Sequence, residues 1–220
     1  MSVVQLIQQS FDAIAGKTYL EIGIAKGITF SRINAELKIG VDPVSPSPQI
    51  TEKLAANVQY YQMASDDFFA NQAGLFEGRG LDLAYIDGLH SYRQALRDVE
   101  NCLGYLNKNG IIIMHDCNPK TIGLMQDGCS GDVWRTIVHL RSMRQDLHVF
   151  VLDYDYGLGF VTCGSPENNL AYPPENIAAM SFQDLDNNRE TLLNLKPGVY
   201  FDSFIKTVRK IDSNGLSSRQ

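Results

Sequence analysis

Residues 18–42, TYLEIGIAKGITFSRINAELKIGVD, constrain this chain more than any other stretch. An apolar run ends in Glu21-Ile22-Gly23-Ile24-Ala25-Lys26-Gly27, a helical pattern follows, and a second apolar run ends in Asp42. Strand, glycine turn, helix, strand and acid, in that order, make a nucleotide-binding βαβ unit. The glycines let backbone approach a ligand at a helix start, and an acid at the tip of the second strand can accept hydrogen bonds from ribose hydroxyls.

The rest of the chain extends that unit into an open α/β sheet. An N-terminal helix with Val3, Leu6, Ile7, Phe11 and Ile14 on one face ends near Gly16. Strand one covers about 18–22, a helix runs to about Ala35, and strand two covers 38–42. A short helix at 50–56 follows the prolines Pro43, Pro46 and Pro48, and 58–63 is strand three. Ala64-Ser65-Asp66-Asp67 reads as a polar turn with helix-capping residues. Strand four, 81–86, is a nearly unbroken apolar run, as expected for a strand covered on both faces. It ends in Asp87-Gly88-Leu89-His90, and Ser91 with Gln94 forms a capping-box pattern. Asn109-Gly110 is expected to turn the chain into strand five, 111–114, which ends in His115-Asp116-Cys117. Asp132 can cap a helix over 133–144.

Strands six (147–152) and seven (158–163) are joined too tightly for a parallel crossover, so the last strand should run antiparallel. Two C-terminal helices, 181–194 and 200–209, complete the pattern. The predicted fold is a Rossmann-like, doubly wound sheet of seven strands, mostly parallel, with an antiparallel terminal hairpin strand. One domain spans 1–220: an N-terminal helix (1–16), a cofactor-binding core (17–163) and a helical extension (164–220).

Such a sheet places its ligands at the carboxyl ends of its strands. There stand Gly23 to Gly27, Asp42, Ser65 and Asp66, Asp87 and His90, and His115 and Asp116. Their convergence on one edge is stronger evidence than any one of them. Each has a plainer alternative: the glycines as turn residues, Asp42 and Asp66 as caps, His90 as a helix-start residue, the acids as substrate or structural groups. His115, His139 and His148 read as structural, Trp134 as packing, and Asp184 with Asp186 as a solvated face.

IDGLHSY, IIIMHDCNP, GDVWRTI and YGLGFV, together with the E-x-G-x-x-x-G element, resemble the class I S-adenosylmethionine-dependent methyltransferases, in particular a branch of small bacterial members. The resemblance covers about residues 17–163. Ala25 departs from it, standing where many members carry glycine. The resemblance implies that Glu21, Gly23 and Gly27 wrap the methionine part of the cofactor, that Asp42 holds the ribose, and that Ser65 and Asp66 border the adenine. The ends of strands four and five are also similar to catechol-type metal-dependent O-methyltransferases. That similarity implies Mg²⁺ at Asp87 and Asp116, with His90 in the general-base position. Cys117 stands where those enzymes have asparagine, so His115 or Asn118 would have to supply a further ligand.

The expected activity is therefore O-methylation of a small-molecule hydroxyl, with Asp87 and His90 catalytic. Without a metal, Asp87 would orient His90 and Asp116 would bind the substrate. The rival activities are an NAD(P)-dependent oxidoreductase, a hydroxylase, and a cofactor-binding subunit without methyl transfer. No Tyr-x-x-x-Lys pair supports the first. A net charge of −6 argues against nucleic acid or an anionic membrane as partner. No apolar run approaches the ~20 residues that span a bilayer. The first residues do not read as a signal peptide, and the four cysteines show no disulfide or zinc spacing, which fits a reduced, cytoplasmic setting. The N-terminal and C-terminal helices could form a homodimer contact or pack on their own sheet. Residues 121–131, with glycines at both ends, could form a lid.

Overall fold

The computed structural model describes residues 1–45, 56–126 and 128–215. Helix α1 is Val3–Ala13, followed by β1 (Thr18–Ile22), α2 (Ile28–Arg32), β2 (Leu37–Val41), β3 (Val58–Tyr61) and α3 (Ser65–Asn71). Then come β4 (Leu81–Ile86), α4 (Tyr92–Leu103), β5 (Leu106–Met114), α5 (Trp134–Met143), β6 (Leu147–Asp153) and β7 (Leu158–Cys163). The chain closes with α6 (Pro174–Ala179), α7 (Phe182–Leu193), β8 (Leu195–Pro197) and α8 (Tyr200–Gly215). The helix expected at 50–56 lies outside the described residues.

All eight strands form one sheet in the order β3-β2-β1-β4-β5-β7-β6-β8. Neighbours pair parallel except at β7, which runs antiparallel to both β5 and β6, as the short 153–158 connection requires. The sequence pattern gave seven strands. The eighth, β8, has three residues and pairs parallel with β6 at the sheet edge. It is too short to show a period of two, and it ends in Pro197, a residue an edge strand tolerates.

Alternation along the strands sorts the core into two layers. Leu20, Ile22, Ile39, Val41, Ala84, Ile86, Ile112 and Met114 face one way and pack under α3, α4, α5 and α7. Tyr19, Leu83, Tyr85, Ile111, Ile113, Phe150 and Phe160 face the other way, against α1, α2 and α8. Leu6, Ile7 and Phe11 of α1 and Phe201 and Phe204 of α8 are buried there, so both terminal helices cover their own sheet. Phe150 and Phe160 stack at 5.1 Å, and the ring of Phe204 meets both edge-on.

Several local expectations change. Asn109-Gly110 does not end a turn. β5 runs through it, with a register shift against β4 between Leu81 and Leu83 that absorbs the irregularity. α2 has only five residues and stops at Arg32, because Ile33 returns to extended backbone. At the end of α1 the left-handed position falls on Ala15 (φ 50°), while Gly16 donates to the Phe11 carbonyl at 2.9 Å. Gly16 is needed for space, since a Cβ there would lie 2.4 Å from the Phe11 ring.

The 91–94 capping box does not form, and Asp132 caps the other helix: its carboxylate accepts from the Tyr92 amide at 2.6 Å. Asp184, read as solvated surface, closes a capping box with Ser181. Among the described residues no helix is long and apolar enough to cross a membrane.

The stacked pair at the heart of the second layer should dominate stability. Replacing Phe150 with alanine is expected to cost about 3–5 kcal/mol. Thermal denaturation should show a midpoint lower by about 10 °C. A drop under 2 °C would show that this layer is not part of the cooperative unit.

Candidate active site

The sheet order reverses between β1 and β4, and a cavity of about 560 Å³ opens at their carboxyl ends. Gly23, Ala25, Asp42, Ser65, Asp66, Asp87, His90 and Gln94 are among the residues that line it. This is where an open α/β sheet binds its ligand, and the volume suits a nucleoside-sized molecule.

The glycine turn is built by close approach. Gly23 has φ 83°, and a Cβ there would stand 2.1 Å from the Asp87 carbonyl oxygen. Ala25 takes the left-handed conformation (φ 46°), which favours glycine. The turn is held by Asp42. One carboxylate oxygen accepts from the Ile24 and Ala25 amides, each at 2.8 Å, and the other accepts from the Val44 amide at 2.8 Å. A carboxylate offers about four lone-pair sites. Three are used, so one remains for a hydroxyl in the cavity.

Gly27 (φ 70°) starts α2 and does not line the cavity. Glu21 does not reach it either. Its side chain lies on the Tyr19 side of the sheet, fully buried, and accepts from the Tyr19 hydroxyl at 2.5 Å. Burial pushes its pKa up to about 8. Neither Glu21 nor Gly27 therefore contributes to the cavity wall.

On the far wall, Ser65 and Asp66 are brought together by Gln94. Its amide donates to Ser65 at 3.1 Å, to Asp66 at 3.0 Å and to Asp98 at 3.0 Å. Asp98 is buried, and that burial raises its pKa to about 6. Its only sequence signal was the Gln94–Asp98 spacing of four on a helix whose other inward residues are apolar.

At the near end, two histidines stand among three carboxylates. His90 Nε2 is 3.3 Å from Asp87 Oδ1 and 3.4 Å from Asp116 Oδ2. His115 Nδ1 is 3.1 Å from the same Asp116 oxygen and 3.5 Å from the same Asp87 oxygen. Its Nε2 is 3.3 Å from Asp155, in the β6–β7 turn. The other Asp87 oxygen accepts from the Tyr85 hydroxyl at 3.3 Å.

With acids at both ring nitrogens, His115 must donate from both, so it is an imidazolium. Burial opposes that charge, but the bonds to Asp116 and Asp87 outweigh it and raise the pKa to about 11. Burial likewise opposes the charge on Asp87, and the two histidines overcome it, holding the carboxyl down at about 2. The hydrogen bond to Asp87 raises the pKa of His90. His90 Nδ1 meets the Cys129 carbonyl. A carbonyl only accepts, so Nδ1 carries a proton, and Nε2, facing two carboxylates, donates in the charged ring; loss of the Nε2 proton leaves the neutral base with its lone pair there.

His115 was placed at this edge but read as structural, and Asp155 was missed, because each looks ordinary in sequence. One ends a buried strand, the other sits in a hairpin turn, and only the antiparallel β7 brings them together. Cys117 and Asn118 are not in the cluster. Cys117 is buried under Gly159, and burial raises its thiol pKa. Asn118 binds Asp153 and Arg189.

The fold and this edge define a class I methyltransferase architecture, and the comparisons agree. Residues 20–117 match the family model of a methyltransferase domain. A cofactor-bound protein from MTB superposes with a TM-score of 0.57 at 14% identity, over 74% of this chain and 81% of that one. An SAH-bound methyltransferase from Podospora anserina gives 0.54 at 18% identity, over 75% and 80%. The MycE methyltransferase of the mycinamycin biosynthetic pathway, in complex with Mg, SAH and mycinamycin VI, gives 0.50 at 13%, over 72% and 48%. No curated protein matches the chain. The chain thus has the class I S-adenosylmethionine-dependent methyltransferase fold, and residues 20–117 match the methyltransferase-domain model.

The charge cluster gives stability a definite pH dependence. The folded pKa of His115 is raised, so its stabilisation is complete below the unfolded value of about 6.5 and declines as pH rises toward 11. The pKa of Asp87 is depressed, so its share is complete above about 4 and is lost on acidification toward 2. The melting-temperature difference between wild type and His115→Gln should therefore be largest near pH 5–6 and shrink steadily by pH 9. A difference that is flat across that range would mean His115 carries no charge in the folded protein.

Proposed function

We propose that this protein is an S-adenosylmethionine-dependent methyltransferase that acts on a hydroxyl of a small molecule. The observation that carries the reading is that one cavity runs from the Gly23–Asp42 turn to Asp87 and His90. A cofactor held at the first end presents its methyl group to a base at the second. In this reading Asp42 accepts a ribose hydroxyl with its free lone pair. Ser65, Asp66 and Gln94 border the adenine. Gly23 lies along the methionine part, and Glu21 and Gly27 brace that turn.

The donor set fits a divalent cation. Asp87, His90 and Asp116 each offer a ligand atom, and these atoms lie within 4.8 Å of one another. Two carboxylate oxygens suit a hard divalent cation such as Mg²⁺, which leaves His90 Nε2 free to act as the base. Asp87 and Asp116 would hold the ion, whose charge would polarise the acceptor hydroxyl. His90 Nε2 then takes the hydroxyl proton. The oxygen forms a bond to the methyl carbon as the carbon–sulfur bond breaks. The sulfonium leaves as a neutral thioether, so atoms and charge balance. The acids around His90 raise its proton affinity, which strengthens it as a base and moves the active, neutral form to higher pH.

Titration calorimetry tests the cofactor directly. S-adenosylhomocysteine should bind with micromolar affinity, NAD should give no heat, and Asp42→Ala should weaken binding at least tenfold. Absence of adenosyl binding would overturn the reading. With an acceptor, His90→Ala should lower turnover by about 10²–10⁴-fold while leaving S-adenosylhomocysteine affinity within twofold. Activity that survives EDTA unchanged would remove the metal and leave Asp87 as the group that orients His90.

A further inference from the structure

Three consecutive residues of the 121–131 segment touch the reacting pair, and of them only Gly131 falls in a sequence motif. The Cys129 carbonyl accepts from His90 Nδ1. The Ser130 hydroxyl donates to Asp116 Oδ1 at 2.5 Å, and Ser130 is only 2% exposed. Gly131, at φ 57°, lies so close that a Cβ would stand 1.9 Å from the His90 carbonyl oxygen. The next residue, Asp132, accepts from the Tyr92 amide at 2.6 Å, just beyond His90. The segment is also tied to itself, through the Gly131 amide to the Leu124 carbonyl at 3.1 Å.

We propose that 129–131 is a clamp on the reacting groups and that Ser130 is a positioning residue for Asp116. The proposal rests on the methyltransferase reading for its catalytic meaning. A carboxylate on a single bond can present either oxygen. Asp116 has an uncommon left-handed backbone (φ 60°) and is buried, so its orientation must be fixed by what it meets. Ser130 binds Oδ1, which leaves Oδ2 as the oxygen that faces His90 and His115. At the same time the Cys129 carbonyl holds His90 Nδ1 as a donor, so Nε2 is the nitrogen that faces the same point. One tripeptide therefore sets both the acid and the base. It also makes the order of residues 128–131 depend on those two side chains, so this stretch and the chemistry form one unit. Gly131 is what permits the approach, because any side chain there would push the clamp off His90.

The test is a double-mutant cycle read by hydrogen exchange, which needs no acceptor. Ser130→Ala and Asp116→Ala should each raise exchange of the amides at 121–126 and 128–131 about tenfold. Because both remove the same contact, the double variant should exchange no faster than either single one. Ser130→Cys, which keeps a weak donor of similar size, should fall between wild type and alanine. S-adenosylhomocysteine affinity should stay within threefold throughout. In turnover, Ser130→Ala should lower kcat about tenfold with the KM for S-adenosylmethionine unchanged. Unchanged exchange in Ser130→Ala, or independent effects that multiply to about a hundredfold, would overturn the clamp. Failure of the wild type to bind S-adenosylhomocysteine would instead overturn the methyltransferase reading, and the exchange cycle would still decide whether the clamp exists.

Discussion

The site depends on how closely the ends of β1 and β4 approach each other. At Gly23 the two strands leave no room for a single methyl group against the Asp87 carbonyl. That contact joins the glycine turn to the strand end carrying Asp87 and, three residues on, His90. The sheet reverses its order at the same seam, so the helices diverge above it and a cavity is left. The cavity is thus a consequence of topology, and its two chemically distinct ends are held at a fixed separation by one tight backbone contact. Asp42 completes the arrangement from the neighbouring strand, since its carboxylate ties down the two amides that follow Gly23 by one and two residues.

Around this seam the protein has placed charges where burial is costly. Asp87, Asp116 and Asp155 would repel one another without a counter-charge, and His115 supplies it from within the chain. Such a group rigidifies when every member is satisfied and destabilises when one is not. Here the satisfaction is nearly complete. Tyr85 and the two histidines serve Asp87, while Ser130 and the histidines serve Asp116. The arrangement keeps Asp87 ionised and directs both acids to one point.

Much of this was legible before any coordinates. The alternating apolar runs gave the strands because each buried strand is bounded by turn residues. The shortness of 154–157 gave the antiparallel β7 because no parallel crossover fits it. The residues at the strand ends were legible for the same reason: topology alone brings them to one edge. What could not be read was side-chain direction. Glu21 sits one residue from the apolar Ile22, and the alternation of the strand turns it to the opposite face, away from the ligand. Gln94 and Ser91 have the spacing of a capping box, yet Gln94 is drawn to Ser65 and Asp98 across the cavity wall. Ser130 and Asp155 contribute through long-range contacts of loop residues, and loops carry no periodicity from which to infer their partners. β8 is too short to have a pattern at all.

The position of β7 also explains why the C-terminal third belongs to the site. Its antiparallel course returns the 154–157 turn to the carboxyl edge of β5. There the Gly157 and Tyr156 carbonyls accept from the Cys117 and Asn118 amides at 3.0 and 2.8 Å. Those bonds hold the chain just past His115 and Asp116 and deliver Asp155 to the imidazole. From further along, Arg189 of α7 donates to Asn118 at 2.5 Å and to the Pro119 carbonyl at 2.8 Å, so the extension grips the same loop from outside. Residues 20–117 carry the turn, the acids and His90, but not the groups that aim them. The acids come from the parallel half of the sheet, and their orientation comes from the antiparallel strand, the 129–131 segment and α7. A domain cut at residue 117 would keep the reactive groups and lose the constraints that make them a site.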